Sequence, residues 1–414
     1  MSKISLKHSG GNVVSLNAPT NAPGSPDVAF KLPNADGSDG QALVTDGSGN
    51  LSFGNVAAGS ARNLIINGAM QVAQRGTSST ASDYGSCDRF KVNHSNTGVT
   101  ITQSQQSSAS SDTPYTLGFR NFFRIALASA GTANANAEIG LTTHLEAQDV
   151  ANSGWNHTSS TSNITLSFWF RCSTNQTFYA YLRTRDGTNY NYPFSFTASG
   201  NNAWTKITKT ISGNSNLQID NDNERGLSVN FIPFYGTDLT NNLSVDQWSA
   251  YDGANRMPDM ASTWLTAGAS TFDITVIQLE VGSTASDFEH RTFAQELHLC
   301  NRYYYDVLGP SPETDFGFAV GGKYNGTFNF CVVNFPVQMR IVPTLESSTT
   351  TDSFYKIVGS NVDNYADHAM SKGGRTGARI YPNTGNDDVG SNGDAVVLHA
   401  NNPSACQLRF NAEL

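Results

Sequence analysis

The chain has 414 residues, of which 38% are hydrophobic and 14% are charged, and its formal net charge is −9. This length suffices for two or three domains, and the hydrophobic content is too high for a disordered chain. The acidic balance, without any run of Lys or Arg, argues against nucleic acid as a partner. No apolar stretch is long enough to span a membrane, and the N-terminus lacks the apolar segment of a secretory signal.

The composition predicts an all-β protein. Ser, Thr, Asn, Gln and 37 Gly supply much of the polar surface and favour turns over helices. The aromatic residues are mostly Phe and Tyr, which suit half-buried strands. The five cysteines are widely spaced and form no CxxC pair, so we expect small buried side chains rather than a zinc site. This cysteine usage fits assembly in a reducing cytoplasm.

Residues 1–60 form the first predicted region, an extended arm. It has three short apolar pieces, Ile4–Leu6, Val13–Leu16 and Val28–Leu32, separated by Gly-, Asn- and Asp-rich turns. So few large apolar residues cannot build a core of their own. The arm is expected either to pair with copies of itself or another protein, or to be a flexible tail.

Residues 61–292 are predicted to form a central β-sandwich of the jelly-roll type. Roughly ten strand-like runs alternate with turn signals. The clearest alternation is Ile164–Arg171. The other runs are Asn63–Asn67, Arg89–Val92, Val99–Thr102, Asn121–Ala126, Glu138–Leu141, Phe178–Arg183, Trp204–Lys209, Leu227–Ile232 and Phe272–Glu280.

A short helical connector, residues 293–306, follows the sandwich. Thr292 is expected to cap it in a capping box with Gln295. Residues Phe293, Leu297, Cys300 and Tyr304 fall on one face of such a helix. Residues 307–414 again read as strands and predict a small C-terminal β domain. Its strand-like runs are Phe316–Val320, Phe328–Phe335, Ala395–His399 and Gln407–Phe410.

Several stretches of the sequence are similar to those of one known family. Arg62–Gly76 with Asp88–Phe90 resembles the opening of the jelly-roll modules of bacteriophage tail-fibre proteins, and Ile277–Arg291 looks like the last strand of such a module. Glu296–Tyr304 matches their helical connector, and Pro336–Thr344 resembles a motif of the small β domain that follows. The N-terminal Ser5–Gly11 and Leu32–Phe53 are similar to the heads of virion proteins from marine cyanobacterial phages.

This resemblance implies a structural component of a phage tail, a fibre or spike located in the virion and assembled in the host cytoplasm. Its N-terminal arm would attach to other tail or virion proteins, and a homotrimer is the expected state. The central module is also similar to jelly-roll carbohydrate-binding modules, which implies contact with host-surface glycans. Multiple copies would raise a weak glycan affinity by avidity.

Sugar rings bind aromatic platforms flanked by polar side chains. Six aromatic residues in turn- or loop-like sequence near Asn or Asp are candidates for ligand binding, whereas Trp169 and Trp204 lie in predicted strands and suit the core. For any single candidate, packing under a loop is the simpler interpretation. The candidates are Trp155, Tyr190, Tyr192, Trp248, Tyr251 and Trp264.

No metal site, cofactor or catalytic residue is predicted, and the chain is not expected to be an enzyme. Asp220–Glu224 alternates carboxylates as calcium loops do, but Arg225 and Phe231 occupy the positions where an EF-hand needs Gly and Glu. A solvated acidic turn explains it better. Related carbohydrate-binding modules often carry calcium near a carboxylate after the first Asn-Gly, and here Asn67–Gln71 contains no carboxylate.

Two alternatives to a receptor-binding fibre remain open. The first is an architectural adaptor or capsid-decorating protein, in which loop aromatics would lie in protein interfaces. The more distant one is a glycan depolymerase, which needs two opposed carboxylates. The sequence has no HExxH, no G-x-S-x-G and no regular strand repeat of a β-helical depolymerase.

Overall fold

A computed structural model describes residues 3–7, 10–11, 13–17, 31–37, 41–45, 50–55, 62–309, 312–326, 328–347, 354–383, 389–402 and 406–414. The chain forms two compact units, Met1–Ser60 and Ala61–Leu414. The predicted all-β class is confirmed, since antiparallel sheets make up both units. Within the described residues, no helix is both long and apolar enough to cross a membrane.

The N-terminal unit contains two antiparallel hairpins. The first joins β1 (Lys3–Lys7) to β2 (Val13–Asn17), and the second joins β3 (Gln41–Thr45) to β4 (Leu51–Asn55). Two of the three predicted apolar pieces are therefore strands, whereas Val28–Phe30 of the third lies outside the described residues.

A sandwich of two antiparallel sheets follows. The strands run in the order β16-β13-β12-β15-β10-β7-β6 in one sheet and β14-β11-β17-β9-β8-β5 in the other. Three short helices lie between strands. The elements are β5 (Ser78–Ser79), β6 (Asp83–Tyr84), β7 (Lys91–Ser95), β8 (Ile101–Ser107), α1 (Thr113–Thr116), β9 (Asn121–Leu127), β10 (Glu138–Glu146), α2 (Ala147–Ala151), β11 (Asn163–Cys172), β12 (Asn175–Thr184), β13 (Tyr190–Ser199), β14 (Thr205–Ser212), β15 (Arg225–Tyr235), β16 (Ser249–Ala250), α3 (Thr263–Thr266) and β17 (Thr271–Val281).

The sandwich core is built from alternate residues of its long strands. In β11, every second residue from Ile164 to Cys172 is buried in it, as expected when successive side chains point to opposite faces of a sheet. Phe168 and Phe170 pack edge-on against Phe196 at centroid distances of 5.3 and 5.0 Å. These rings bury large apolar areas, so the core holds the two sheets together.

One predicted strand is wrong. Asn63–Asn67 forms a buried turn along β17, in which the side chain of Asn63 accepts from Leu279 N at 3.0 Å and donates to Ile277 O at 3.0 Å. Asn67 has a φ of +60°. A Cβ on Gly68 would lie 2.1 Å from the Ile277 carbonyl oxygen, so the turn needs glycine there.

The connector begins with helix α4 (Phe293–Cys300). The predicted capping box between Thr292 and Gln295 is present. The helix ends earlier than expected, because Tyr304 already pairs as a strand with Asn411. The buried face of the helix also differs from the predicted apolar face. Phe293 is 56% exposed, and the residues that the helix buries are Glu296 and Cys300.

The C-terminal part contains a three-stranded sheet, β18-β27-β21, and a seven-stranded sheet, β23-β22-β26-β19-β20-β25-β24. They enclose a second core that includes Tyr355, Ile380 and Phe410. The strands are β18 (Tyr304–Asp306), β19 (Gly317–Asn325), β20 (Phe328–Asn334), β21 (Thr344–Ser347), β22 (Tyr355–Val358), β23 (Val362–Tyr365), β24 (His368–Gly373), β25 (Gly377–Pro382), β26 (Ala395–Ala400) and β27 (Leu408–Asn411). All five cysteines are buried and free.

Candidate functional site

Three of the six candidate aromatic residues are packing residues. Trp155 and Tyr192 are 3% and 7% exposed, and Trp264 is completely buried. The indole of Trp155 donates to Ser162 O at 3.3 Å, and that of Trp264 donates to Thr271 O at 3.0 Å. Neither ring therefore presents a free face to a ligand.

Two more candidates seal the edge of the same core. Trp248 and Tyr190 are half-buried and pack against the sandwich core. The ring of Trp248 meets Tyr192 edge-on at 5.4 Å, and its indole donates to Ser212 O at 2.8 Å. Tyr190 and Tyr192 belong to β13 rather than to a loop. The packing explanation thus covers five of the six residues.

Tyr251 lies elsewhere, beside the seven-stranded sheet of the sandwich. It is next to the face of that sheet that points away from the sandwich core, which we call the outer face. The guanidinium carbon of Arg183 lies 3.3 Å from the centroid of the Tyr251 ring. Arg183 and Tyr251 are both half-buried. Tyr251 therefore lies at a surface whose other residues were not among the six aromatic candidates.

Strand register assembles this outer face in rows. Arg183 of β12 lies opposite Ser228 of β15, and Ser228 lies opposite His144 of β10. The next row joins Tyr181 to Asn230 and Thr142 in the same strands. Residues directly opposite each other share a face of the sheet, so polar and aromatic side chains line up across three strands.

Hydrogen bonds fix these rows. Thr142 Oγ1 donates to Asn230 Oδ1 at 2.9 Å. Ser228 Oγ accepts from Arg185 Nε at 2.9 Å and lies 2.7 Å from His144 Nδ1. Thr142, Asn230, Ser228 and His144 are all buried, so these hydrogen bonds fix the layer of the sheet that supports the half-buried Arg185.

The segment between β15 and α3 borders the face on one side. Its Met257 is fully buried against Tyr181, Ile232 and Tyr235. Arg256 of the same segment accepts a hydrogen bond through its carbonyl from Asn191 Nδ2 at 2.7 Å. This segment also supplies Tyr251, so it both covers one end of the outer face and contributes a side chain to it.

The open part of the face is electropositive. Arg183 and Arg185 are half-buried, and Arg225 is exposed. Burial, followed by the charges of Arg183 and Arg225, lowers the pKa of Arg185 to about 10. Burial, with the charges of Arg185 and Arg225, also holds the pKa of His144 well below its usual range. The imidazole is therefore neutral at pH 7, and the positive charge belongs to the arginines.

A second concave site lies between the sandwich and the C-terminal sheets. Arg75, Tyr84, Tyr304, Glu346 and Arg409 are among the residues that line this cavity of about 340 Å³. Arg75 stacks on Tyr304 at 3.5 Å and pairs with Glu413 at 3.3 Å. Since ion pairs and stacking already engage its charged side chains, this cavity is the weaker candidate.

An arginine lies beside the turn that contains Asn67 and Gly68, where the sequence offered no carboxylate for a calcium ion. Arg291 donates to the carbonyl of Asn63 at 2.5 Å and to that of Ile65 at 3.4 Å. It also lies 3.3 Å from Glu289 and 3.5 Å from Glu296. The guanidinium thus supplies the positive charge at this point. No group of three or more His, Cys, Asp or Glu side chains within the described ranges is arranged to hold a metal ion.

The sequence did contain a signal for the outer face. Phe178, Ala180 and Leu182 of β12 enter the core, so the intervening Tyr181 and Arg183 must point outward. The alternation was visible in the sequence, but the partner rows on β15 and β10 come from distant parts of the chain.

Comparisons with known proteins show a limited likeness. No protein-family model matches the chain. No curated protein sequence matches it.

Among solved structures, the chain is similar to the enzymatically active domain of tailspike protein 4 from bacteriophage CBA120, with 12% identity, a TM-score of 0.28 and coverage of 53% of this chain and 22% of that one. It is also similar to the family 11 carbohydrate-binding module of a Clostridium thermocellum cellulase, with 11% identity, a TM-score of 0.26 and coverage of 52% and 98%. A third likeness is to TmCBM61 in complex with β-1,4-galactotriose, with 9% identity, a TM-score of 0.27 and coverage of 54% and 100%. At these identities and TM-scores the likenesses give no argument about what this protein binds.

Proposed function

We propose that this chain is a structural subunit of a phage tail, a fibre or spike. We further propose that it binds host-surface glycans through the outer face of the seven-stranded sheet of its sandwich. The observation that carries the proposal is the pair of half-buried arginines, Arg183 and Arg185, beside the half-buried ring of Tyr251, with Arg185 held by the buried hydroxyl of Ser228. The two guanidinium groups offer hydrogen-bond donors to hydroxyls, and the neighbouring aromatic ring offers an apolar surface, which is the chemistry that sugars require.

A binding role rather than hydrolysis is supported by the two glutamates of β10, which arginines already engage. Glu138 lies 3.6 Å from Arg256 in an ion pair. Burial by itself would raise the pKa of Glu146, but hydrogen bonds from Arg302 and Tyr303 outweigh it and lower that pKa. A glycosidase needs one carboxyl group poised as an acid and a second opposite it. Neither of these two is free for that role.

Attachment through the N-terminal unit is the second part of the proposal. Leu43 is 50% exposed, and Val44 and Phe53 are each 39% exposed. Leu43 and Phe53 lie opposite each other in the β3–β4 hairpin, so they share one face. An exposed apolar face on so small a unit suits contact with a tail protein or with further copies in a homotrimer. Five free, buried thiols fit assembly in the reducing host cytoplasm.

The test is a binding measurement with the full-length chain on immobilised host-surface glycans of neutral and acidic types. We expect saturable binding that falls about tenfold, or about 1.4 kcal/mol, in Tyr251→Ala. Tyr324→Ala is the matched control, because Tyr324 is 69% exposed on the C-terminal β domain. Absence of binding to every glycan, or an equal loss in both variants, would contradict the proposed site. An architectural adaptor would give the first of these results.

A further inference from the structure

The outer face holds positive charge that protein carboxylates do not neutralise. Among the described residues, no Asp or Glu forms an ion pair with Arg183, Arg185 or Arg225. The neighbouring cations are already engaged, since Lys91 pairs with Asp83 at 3.0 Å and Arg256 with Glu138 at 3.6 Å. Arg183, Arg185 and Arg225 thus form a group of cations without carboxylate partners within the described residues.

The hydrogen-bonding capacity of Arg183 is also incompletely used. Its Nη2 donates to the side-chain oxygen of Asn189 at 2.9 Å, with the Asn189 amide oriented to satisfy its neighbours. Its Nε is buried and has no hydrogen-bond partner. A buried donor without an acceptor is costly.

The three arginines act on one another through space. Arg185 hydrogen-bonds to Gly226 O through its backbone at 3.0 Å, which places it at the end of β15 where Arg225 begins. Burial, and then the positive charges of Arg183 and Arg225, disfavour the charged form of Arg185 and lower its pKa. This repulsion persists in the free protein. A negative charge placed among the three guanidinium groups would relieve it.

We propose that the glycan bound by the outer face is acidic, and that its carboxylate, sulfate or phosphate group lies among Arg183, Arg185 and Arg225. Guanidinium groups bind such anions with two parallel hydrogen bonds, which favours arginine over lysine for this task. The stacked ring of Tyr251 holds Arg183 in place. This inference rests on the proposed function, because it names the class of ligand for the same surface.

The experiment uses the full-length chain and sets of glycans that carry carboxylate, sulfate or phosphate groups, together with the same glycans after carboxyl reduction or removal of the ester. We expect at least one acidic set to bind and its neutralised counterpart to lose about tenfold or more in affinity, since charge-assisted hydrogen bonds are lost. The set that binds identifies the source of the anion. Raising the salt concentration should weaken the binding.

Two variants locate the anion. The double variant Arg183→Gln/Arg185→Gln should lose about tenfold or more in affinity for the acidic glycan. Arg225→Gln tests the same surface without touching a buried side chain, because Arg225 is exposed. Arg120→Gln is the matched control, since Arg120 is an exposed arginine that stacks on Tyr115 away from this face. Thermal melting checks that each variant is folded.

The outcomes separate the two proposals. Binding to neutral glycans alone, or equal affinity of the wild type, the double variant and Arg225→Gln for the acidic one, would overturn the acidic ligand and leave glycan binding standing. Binding to no glycan at all would overturn both. Loss in the double variant and in Arg225→Gln, with Arg120→Gln unchanged, would support the acidic ligand.

Discussion

Individual side chains in this protein are defined by their partners more than by their chemical type. Arg291 is surrounded by backbone carbonyls and carboxylates that balance its positive charge. Arg185 of the outer face has only a serine hydroxyl as its side-chain hydrogen-bond partner among the described residues. His368 shows the same dependence. Its Nε2 lies 2.7 Å from Tyr365 Oη, its Nδ1 lies 3.3 Å from Ser347 Oγ, and burial lowers its pKa to about 3.

We predict that His368 makes the stability of the protein depend on pH. An unfolded histidine takes up a proton below about pH 6.5, whereas the folded one stays neutral until about pH 3. The free energy of unfolding should therefore fall as the pH drops from 6.5 towards 3, by up to about 1.4 kcal/mol per pH unit from this residue. His368→Gln should reduce that slope in urea unfolding followed between pH 4 and 7.

The control for this prediction is His298→Gln, since His298 is exposed on helix α4. It should leave the slope unchanged. If His368→Gln has the same pH slope as the wild type, the buried neutral histidine is not a source of acid sensitivity. Part of the slope should remain in any case, because His144 is also buried with a lowered pKa.

At the level of elements, the connector helix is tied to the sandwich by charge. The helix buries Glu296 rather than an apolar stripe, and this carboxylate accepts a hydrogen bond from Asn67 N of the first turn. Burial raises the pKa of Glu296, against the effects of the Asn67 N–H and of Arg291. The charged side chains of Glu296 and Arg291 thus dock the helix by hydrogen bonds on Asn63, Ile65 and Asn67, which precede the first strand of the sandwich.

Replacement of Arg291 by methionine should destabilise the fold strongly. The change leaves the buried carboxylate of Glu296 without its cation, and breaking one side of a buried ion pair costs about 3–5 kcal/mol. Urea unfolding at pH 7 measures this loss. Arg291→Met/Glu296→Gln should recover part of it, because the uncompensated charge is then gone. A double variant no more stable than Arg291→Met would show that the charge is not the cause.

At the level of the whole molecule, the two compact units differ in the hydrophobic core that stabilises them. The two large hydrophobic cores of the protein are made of residues that follow Ala61. The described part of the N-terminal unit consists of two hairpins and a bridge from Lys31 to Asn50, with Leu43 and Phe53 exposed. A pair of hairpins is marginal in water unless something else packs on it.

We predict that deletion of residues 1–60 leaves a folded, soluble product that no longer enters virions. The cores of the remaining chain stay intact, so circular dichroism and thermal melting should show a cooperative fold. Mass spectrometry of purified particles measures incorporation, with the full-length chain as the control. Normal incorporation of the truncated chain would refute the docking role of the N-terminal unit.

Local patterns in the sequence determined the all-β class, the alternation of β11 and the capping box of Thr292, because each depends on residues within a few positions of one another. Tertiary structure decided the rest. Trp155 and Trp264 resemble loop residues in sequence, yet both side chains are buried, and Trp264 lies in helix α3. The outer face depends on β12, β15 and β10 lying side by side. Strand pairing over such separations is set by the burial of a shared core, which neighbouring residues in the sequence do not specify.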